Sequence, residues 1–111
     1  MSTSIGMFSL KNSGGFVVKQ GFEYLNGTKW VKKIATEGYP VAQTKSVDPG
    51  QFGCPNGSTV RIYADVVAGN DKEGSEQFIY ETGNVAIATY EISGTTLNDK
   101  LKFLGILVNQ D

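Results

Sequence analysis

Five side chains have the types and spacing to do recognition chemistry. Glu23, Trp30 and Lys32 stand within ten positions of one another, and Arg61 and Tyr63 form a second pair further on. Trp30 is the only tryptophan. An indole set among charged groups can stack on a sugar ring or settle at the level of lipid headgroups, because it joins a large apolar face to a polar N–H. Lys29, Lys32 and Lys33 add a local positive cluster that would meet a phosphate or a sialic acid, although solvated surface lysines are far commoner. Arg61, Tyr63 and Asp65 alternate along one stretch, so they share a strand face and make a second polar patch or a set of cross-strand packing residues.

Catalytic chemistry is poorly supplied. Histidine is absent and Cys54 is the only cysteine. No Ser-His-Asp or Cys-His nucleophile arrangement is available, and no Cys/His zinc site can be assembled. Pairs of acids exist, but no spacing singles out a glycosidase dyad. The expectation is therefore no enzyme, no metal and no cofactor. Gly69-Asn70-Asp71-Lys72-Glu73-Gly74 gathers oxygen ligands, yet it lacks the spacing and closing Glu of a calcium-binding EF-hand loop and reads better as a solvated turn. Asn26-Gly27-Thr28 and Asn56-Gly57-Ser58 match the glycosylation pattern and read as turns.

The elements that must position these groups are strands. Phe16, Val18, Phe22 and Tyr24 alternate with Lys19 and Glu23, as in a half-buried strand, and Thr28 to Ile34 alternates again after Asn26-Gly27. Asn-Gly suits a two-residue type I′ turn, which predicts a β-hairpin. With Asn26 and Gly27 as the loop, Leu25 faces Thr28, Glu23 faces Trp30 and Phe22 faces Val31. Trp30 then stands on the polar face with Glu23, Lys32 and Lys19. A slip of one residue exchanges the faces and buries Trp30, and the high average burial of tryptophan favours that second arrangement.

Further strands are expected over Ile5–Asn12, Val41–Val47, Thr59–Val67, Gln77–Thr82, Val85–Ile92 and Lys100–Val108. Val60, Ile62, Ala64 and Val66 form one face of the Thr59 strand. Residues 48–58 carry Asp48-Pro49-Gly50 and Pro55-Asn56-Gly57 and predict a long loop, and 93–99 predict another. Tyr39, Phe52 and Tyr90 are aromatics in or beside loops. About eight strands with no persuasive helix predict an all-β protein, a single antiparallel β-sandwich domain over 1–111.

Composition agrees with one globular domain. The chain has 111 residues, 40% hydrophobic and 19% charged, with 14 glycines that punctuate strands. A formal net charge of -1 gives no global field to draw in nucleic acid. No run approaches the roughly 20 apolar residues of a membrane span, and the first residues lack a signal-peptide pattern. The lone Cys54 suits a reducing compartment, so the expectation is a cytoplasmic protein or one exported without a recognisable signal peptide.

The stretch from Gly15 to Trp30, an aromatic-rich strand leading through Asn26-Gly27 to a tryptophan, resembles the opening hairpin of the fungal fruit-body lectins. The order of a Pro-Gly loop at Asp48-Pro49-Gly50, a Gly-led strand from Gly57 to Ala68 and a closing aliphatic strand is similar to the actinoporin-like and aegerolysin-like sandwiches. That resemblance implies a small β-sandwich that binds a glycan or a membrane lipid headgroup, as a lectin or as a toxin or defence component, with Trp30 as the carried-over position. The chain departs from those families in its shorter length. It also lacks their amphipathic N-terminal helix and their Tyr/Trp cluster. The rival expectation is a self-associating protein, a homo-oligomer joined through a sheet edge or an aliphatic face carrying Leu104, Ile106 and Val108.

Overall fold

The structure, a computed structural model, describes residues 3–108. Ten strands run β1 (Ser4–Ile5), β2 (Met7–Gly14), β3 (Val18–Asn26), β4 (Lys29–Ile34), β5 (Thr44–Val47), β6 (Thr59–Val66), β7 (Lys72–Glu73), β8 (Phe78–Tyr80), β9 (Ala86–Thr95) and β10 (Asn98–Val108). One sheet has the order β1-β8-β6-β3-β4, with β7 also on β6, and the other has the order β10-β9-β2-β5. The two sheets pack as a β-sandwich. Setting aside the two-residue strands β1 and β7, the elements are the eight that alternation predicted.

Alternation explains why these segments bury the faces they do. On β6, Val60, Ile62, Ala64 and Val66 are buried inward, and on β3 Val18 and Phe22 meet them. From the facing sheet come Phe8, Leu10, Ala88, Tyr90 and Ile92. Aromatic rings interlock at the centre, with Phe8–Phe78 centroids 6.0 Å apart and Tyr90–Phe103 5.1 Å apart. Such edge and tilted pairs add to the stabilisation that area burial alone provides.

Pairing departs from an all-antiparallel sandwich in two ladders. β2 lies parallel to β9 over Met7–Gly14 against Ile87–Gly94, and β1 lies parallel to β8. These partners are far apart in the chain, and parallel neighbours need a long crossover that leaves no turn signal between them. The single residue Gly6 carries the chain from one sheet to the other, where a Cβ would run into the Asn84 carbonyl.

Three local expectations are corrected. The predicted loop 93–99 shrinks to Thr96-Leu97, because β-branched Thr95 extends β9 and pairs with Asn98. The strand expected over Val41–Val47 begins only at Thr44, after a turn in which Ala42 takes φ 74°. The aliphatic face of Leu104, Ile106 and Val108 is broken by a β-bulge between Phe103 and Gly105. The extra residue resets alternation, so Ile106 and Val108 oppose Ala88 and Ala86 on the inner side while Leu104 has no partner.

Residues 48–58 are irregular as expected and hold a 3₁₀ turn at Pro49–Phe52. Asp48 caps it by accepting from the Gly50 N–H and from Tyr80 Oη. Phe52 turns its edge toward Phe22, with centroids 6.5 Å apart, and closes that flank of the core.

Candidate functional site

The β3–β4 hairpin forms with Gly27 and Thr28, not Asn26 and Gly27, as its two loop residues. Gly27 takes φ 64°, the positive value that a type II′ turn requires at its first position and that glycine adopts freely. Moving the loop by one position moves the pairing by two. Glu23 opposes Lys32 and Leu25 opposes Trp30, where Trp30 had been expected opposite Glu23. Side chains alternate with a period of two, so the corrected register leaves every residue on its original face. The buried arrangement that the average burial of tryptophan favoured is therefore corrected: Trp30 is half-buried on the outer, polar face and does not enter the core, because the turn stays two residues long and no one-residue slip occurs.

β6 pairs with β3 on its other side, placing Arg61 opposite Glu23 and Tyr63 opposite Gly21. All five singled-out residues, Glu23, Trp30, Lys32, Arg61 and Tyr63, therefore share one outer face across three adjacent strands. Arg61 Nε donates to Glu23 Oε1 at 2.9 Å, and the guanidinium carbon lies 3.9 Å from the centroid of the Trp30 ring. Lys32 Nζ donates to Tyr63 Oη at 3.0 Å, and Tyr63 Oη donates to Asp71 Oδ2 at 2.8 Å. Asp71 Oδ1 also accepts from the Val66 N–H at 3.0 Å, so the 69–74 loop spends this acid on its own turn. The hydrogen bond to Tyr63 raises the Lys32 pKa, and burial raises that of Tyr63.

One face of the Trp30 ring is covered by Arg61, which removes that face as a platform for a ligand. The charges nearby are largely matched, Arg61 by Glu23 and Lys32 by Tyr63 and Asp71. The expected cluster of Lys29, Lys32 and Lys33 is split: alternation on the edge strand β4 turns Lys29 and Lys33 to the face opposite Trp30 and Lys32, with Lys33 paired to Phe22. The described residues form no concave pocket, and among them no three His, Cys, Asp or Glu side chains are placed to hold a metal ion. Cys54 is buried, with Sγ directed at the Pro55 carbonyl.

A second surface escaped sequence reasoning. Loops 14–17, 67–70 and 96–97 meet at the end of the sandwich away from the β3–β4 turn and bond to one another, with Asp71 just beyond the second turned back onto Tyr63 and the Val66 N–H. The Val67 N–H donates to the Val17 carbonyl at 3.0 Å, the Gly15 N–H to Gly94 at 3.0 Å and the Asn70 N–H to Thr96 at 2.9 Å. Asn70 Nδ2 adds a bond to the Leu97 carbonyl at 3.1 Å. Gly69 permits this approach, since a Cβ there would run into the Thr96 carbonyl. Leu97, 74% exposed, crowns the β9–β10 turn, and Val67 and Val17 are exposed on the other two loops, Val17 next to Gly38. Segments 13–18, 66–70 and 93–98 contain no charged residue. The signal was present as three uncharged loops holding aliphatic residues, but nothing local says that they converge.

Beneath this end lies Asp99. Its side chain is 0% exposed, its two oxygens have no hydrogen-bond partner, and Lys72 Nζ approaches to 3.8 Å. Burial raises its pKa above the usual carboxylate value, Lys72 opposes the shift and Asp71 adds to it. An acid whose folded-state pKa is raised binds protons more tightly in the folded chain, so stability is gained as pH falls through that pKa. Asp99→Asn is therefore expected to be more stable than the parent at neutral pH. That advantage should shrink on acidification toward about pH 4, where the unfolded-state acid is also protonated. Parallel thermal melts across this range check it, and a gap that widens on acidification refutes it.

No protein-family model matches the chain, and no curated protein matches it in sequence. The resemblance of Gly15 to Trp30 to fungal fruit-body lectins, and of the later segments to aegerolysins, thus finds no counterpart at that level. Among solved structures, listeriolysin O aligns with a TM-score of 0.51 and 15% identity over 95% of this chain and 22% of its own. A Gram-negative toxin aligns at 0.49 with 13% identity over 89% of this chain and 22% of its own. The membrane-binding domain of pneumolysin aligns at 0.45 with 16% identity, over 96% of this chain and 98% of that domain. The chain spans 22% of the length of the first two. The likeness is one of fold: a sandwich of this kind is also built into listeriolysin O.

Proposed function

We propose that this chain is a non-enzymatic binding module that docks on a lipid membrane surface through its uncharged loop end. The observation that carries the reading is that three loops, each with an exposed aliphatic residue in Val17, Val67 or Leu97, are hydrogen-bonded into one unit. Exposed aliphatic side chains on rigid loops gain free energy by entering the acyl boundary, at ~25 cal/mol per Å² of apolar area removed from water. The loop backbone is already paired internally, so shallow entry strands few polar groups. No helix among the described residues is long and apolar enough to cross a membrane, which fits docking on the surface by side chains.

Apolar docking differs from electrostatic adsorption in its response to salt and lipid charge. The protein is expected to co-sediment with neutral phosphatidylcholine vesicles and to remain bound at high salt. A protein left in the supernatant with neutral vesicles, or released from anionic ones by salt, would refute docking through these loops.

A second reading, self-association through a sheet edge, is favoured by one observation. β10 is an edge strand whose first half carries Lys100 and Lys102, but from its bulge onward Leu104, Ile106, Leu107 and Val108 are exposed and uncharged, whereas the edge strands β4 and β5 carry lysines. Charged edges resist pairing and uncharged apolar ones invite it. On this reading sedimentation gives a mass above the monomer that Leu107→Lys returns to monomer. A monomeric mass at high protein concentration removes it.

A further inference from the structure

We infer that Arg61 anchors the carboxylate of an acidic sugar on the outer face of the β4-β3-β6 sheet, apart from the loop end that faces the membrane. A guanidinium presents five N–H donors in a planar fork, and only Nε is engaged here, by Glu23 Oε1 at 2.9 Å. Among the described residues, neither Nη donates a hydrogen bond to the protein. In the planar fork one N–H of each Nη runs parallel to the other, and that pair matches the two oxygens of a carboxylate.

Arg61 is held ready for this contact from two directions. Glu23 fixes Nε from β3, and the Trp30 ring stacks at 3.9 Å from β4. The side chain is only 20% exposed, so most of its rotamer freedom is already lost before a ligand arrives. A pre-ordered donor does not have to be immobilised on binding, which is the usual cost of a long side chain at an interface. Trp30 is thereby a positioning residue for Arg61 and not itself the stacking platform.

The surroundings select the ligand class. Arg61 and Lys32 are offset by Glu23 and Asp71 in the same network, so the patch exerts no long-range pull on a polyanion such as a nucleic acid. It suits one carboxylate attached to a body rich in hydroxyls. Thr59, two residues before Arg61 on the same strand face, and the ammonium of Lys32 supply bonding partners for such hydroxyls. Leu25, paired with Trp30, supplies apolar surface for the C–H face of a pyranose. The site is flat, so one sugar is expected to bind in the roughly millimolar range, with strength coming from multivalent display.

The test titrates N-acetylneuraminic acid into the intact protein and follows Trp30 emission and amide chemical shifts, with galactose, acetate and inorganic phosphate as separate arms. The acid sugar is expected to saturate the response, with shifts centred on residues 23, 30, 59 and 61, while galactose and acetate bind at least about tenfold more weakly. Arg61→Lys keeps the charge and the Glu23 partner but loses the fork, and is expected to weaken binding by about tenfold or more. Leu97→Asp is expected to leave the sugar response intact, which separates this site from membrane docking. Wild-type affinity in Arg61→Lys, shifts centred elsewhere, or a response matched by sodium chloride at equal ionic strength would overturn the assignment. Phosphate binding as tightly as the sugar would overturn the sugar class.

Discussion

Replacing Leu97 with Asp is expected to leave the protein folded and to remove most of its affinity for neutral vesicles. Leu97 is 74% exposed and is held through its backbone carbonyl, which accepts from Asn70 Nδ2, so its side chain contributes little to folding. Full burial of a leucine side chain in an apolar phase is worth about 1.5–3 kcal/mol. Each 1.4 kcal/mol is tenfold in an equilibrium constant, which predicts a loss of about ten- to a hundredfold from the missing side chain alone. A carboxylate at the same tip must also keep its hydration, so the loss exceeds what Leu97→Ala would show. Vesicle co-sedimentation of both variants beside thermal melts makes the comparison. Undiminished binding by a folded Leu97→Asp protein would sink the membrane reading.

Asn12→Leu is expected to be strongly destabilising. Asn12 is fully buried. Its Nδ2 donates to the Phe16 carbonyl at 2.7 Å and to the Tyr39 carbonyl at 3.0 Å, and its Oδ1 accepts from the Gly14 N–H at 2.9 Å. It thus ties β2 to the 14–17 loop and to the segment around Tyr39. The Tyr39 carbonyl keeps the Val18 N–H as a partner. The Phe16 carbonyl and the Gly14 N–H lose theirs, and each buried orphan costs about 1–3 kcal/mol. For a domain of this size 1 kcal/mol shifts the melting midpoint by about 4–8 °C, so a fall of about 10 °C or more is expected. Because Val17 rides on the same loop, vesicle binding should weaken as well. A midpoint within about 2 °C of the parent would show that the loop does not depend on this amide.

Both substitutions act on features that differ in how far sequence alone exposes them. Leu97 is visible as an uncharged, exposed turn residue once β9 and β10 are known to meet there, yet the run Ser93 to Asp99 looks like a longer loop. Asn12 looks like the start of the turn Asn12-Ser13-Gly14-Gly15, and its buried role depends on Tyr39, which lies twenty-seven residues on. The hydrophobic alternation of β3 and β6 is a local property, and it placed Phe22, Val60, Ile62 and Ala64 in the core correctly. The parallel ladder of β2 with β9 is not local, and no turn or spacing announces it.

Sequence by itself determined the strand content, the alternation within β3 and β4 and the absence of histidine chemistry. These follow from residue type and a period of two, which act over a few neighbours and survive even a turn displaced by one residue. Only the tertiary structure decided which face of the hairpin is buried, which loops share an end of the sandwich, which face of Trp30 is covered, and that Arg61 is fixed by Glu23 and Trp30 with its outer donors left over. Those outcomes depend on pairing between distant strands, and the energy that selects among pairings comes from burying a common core rather than from any one segment.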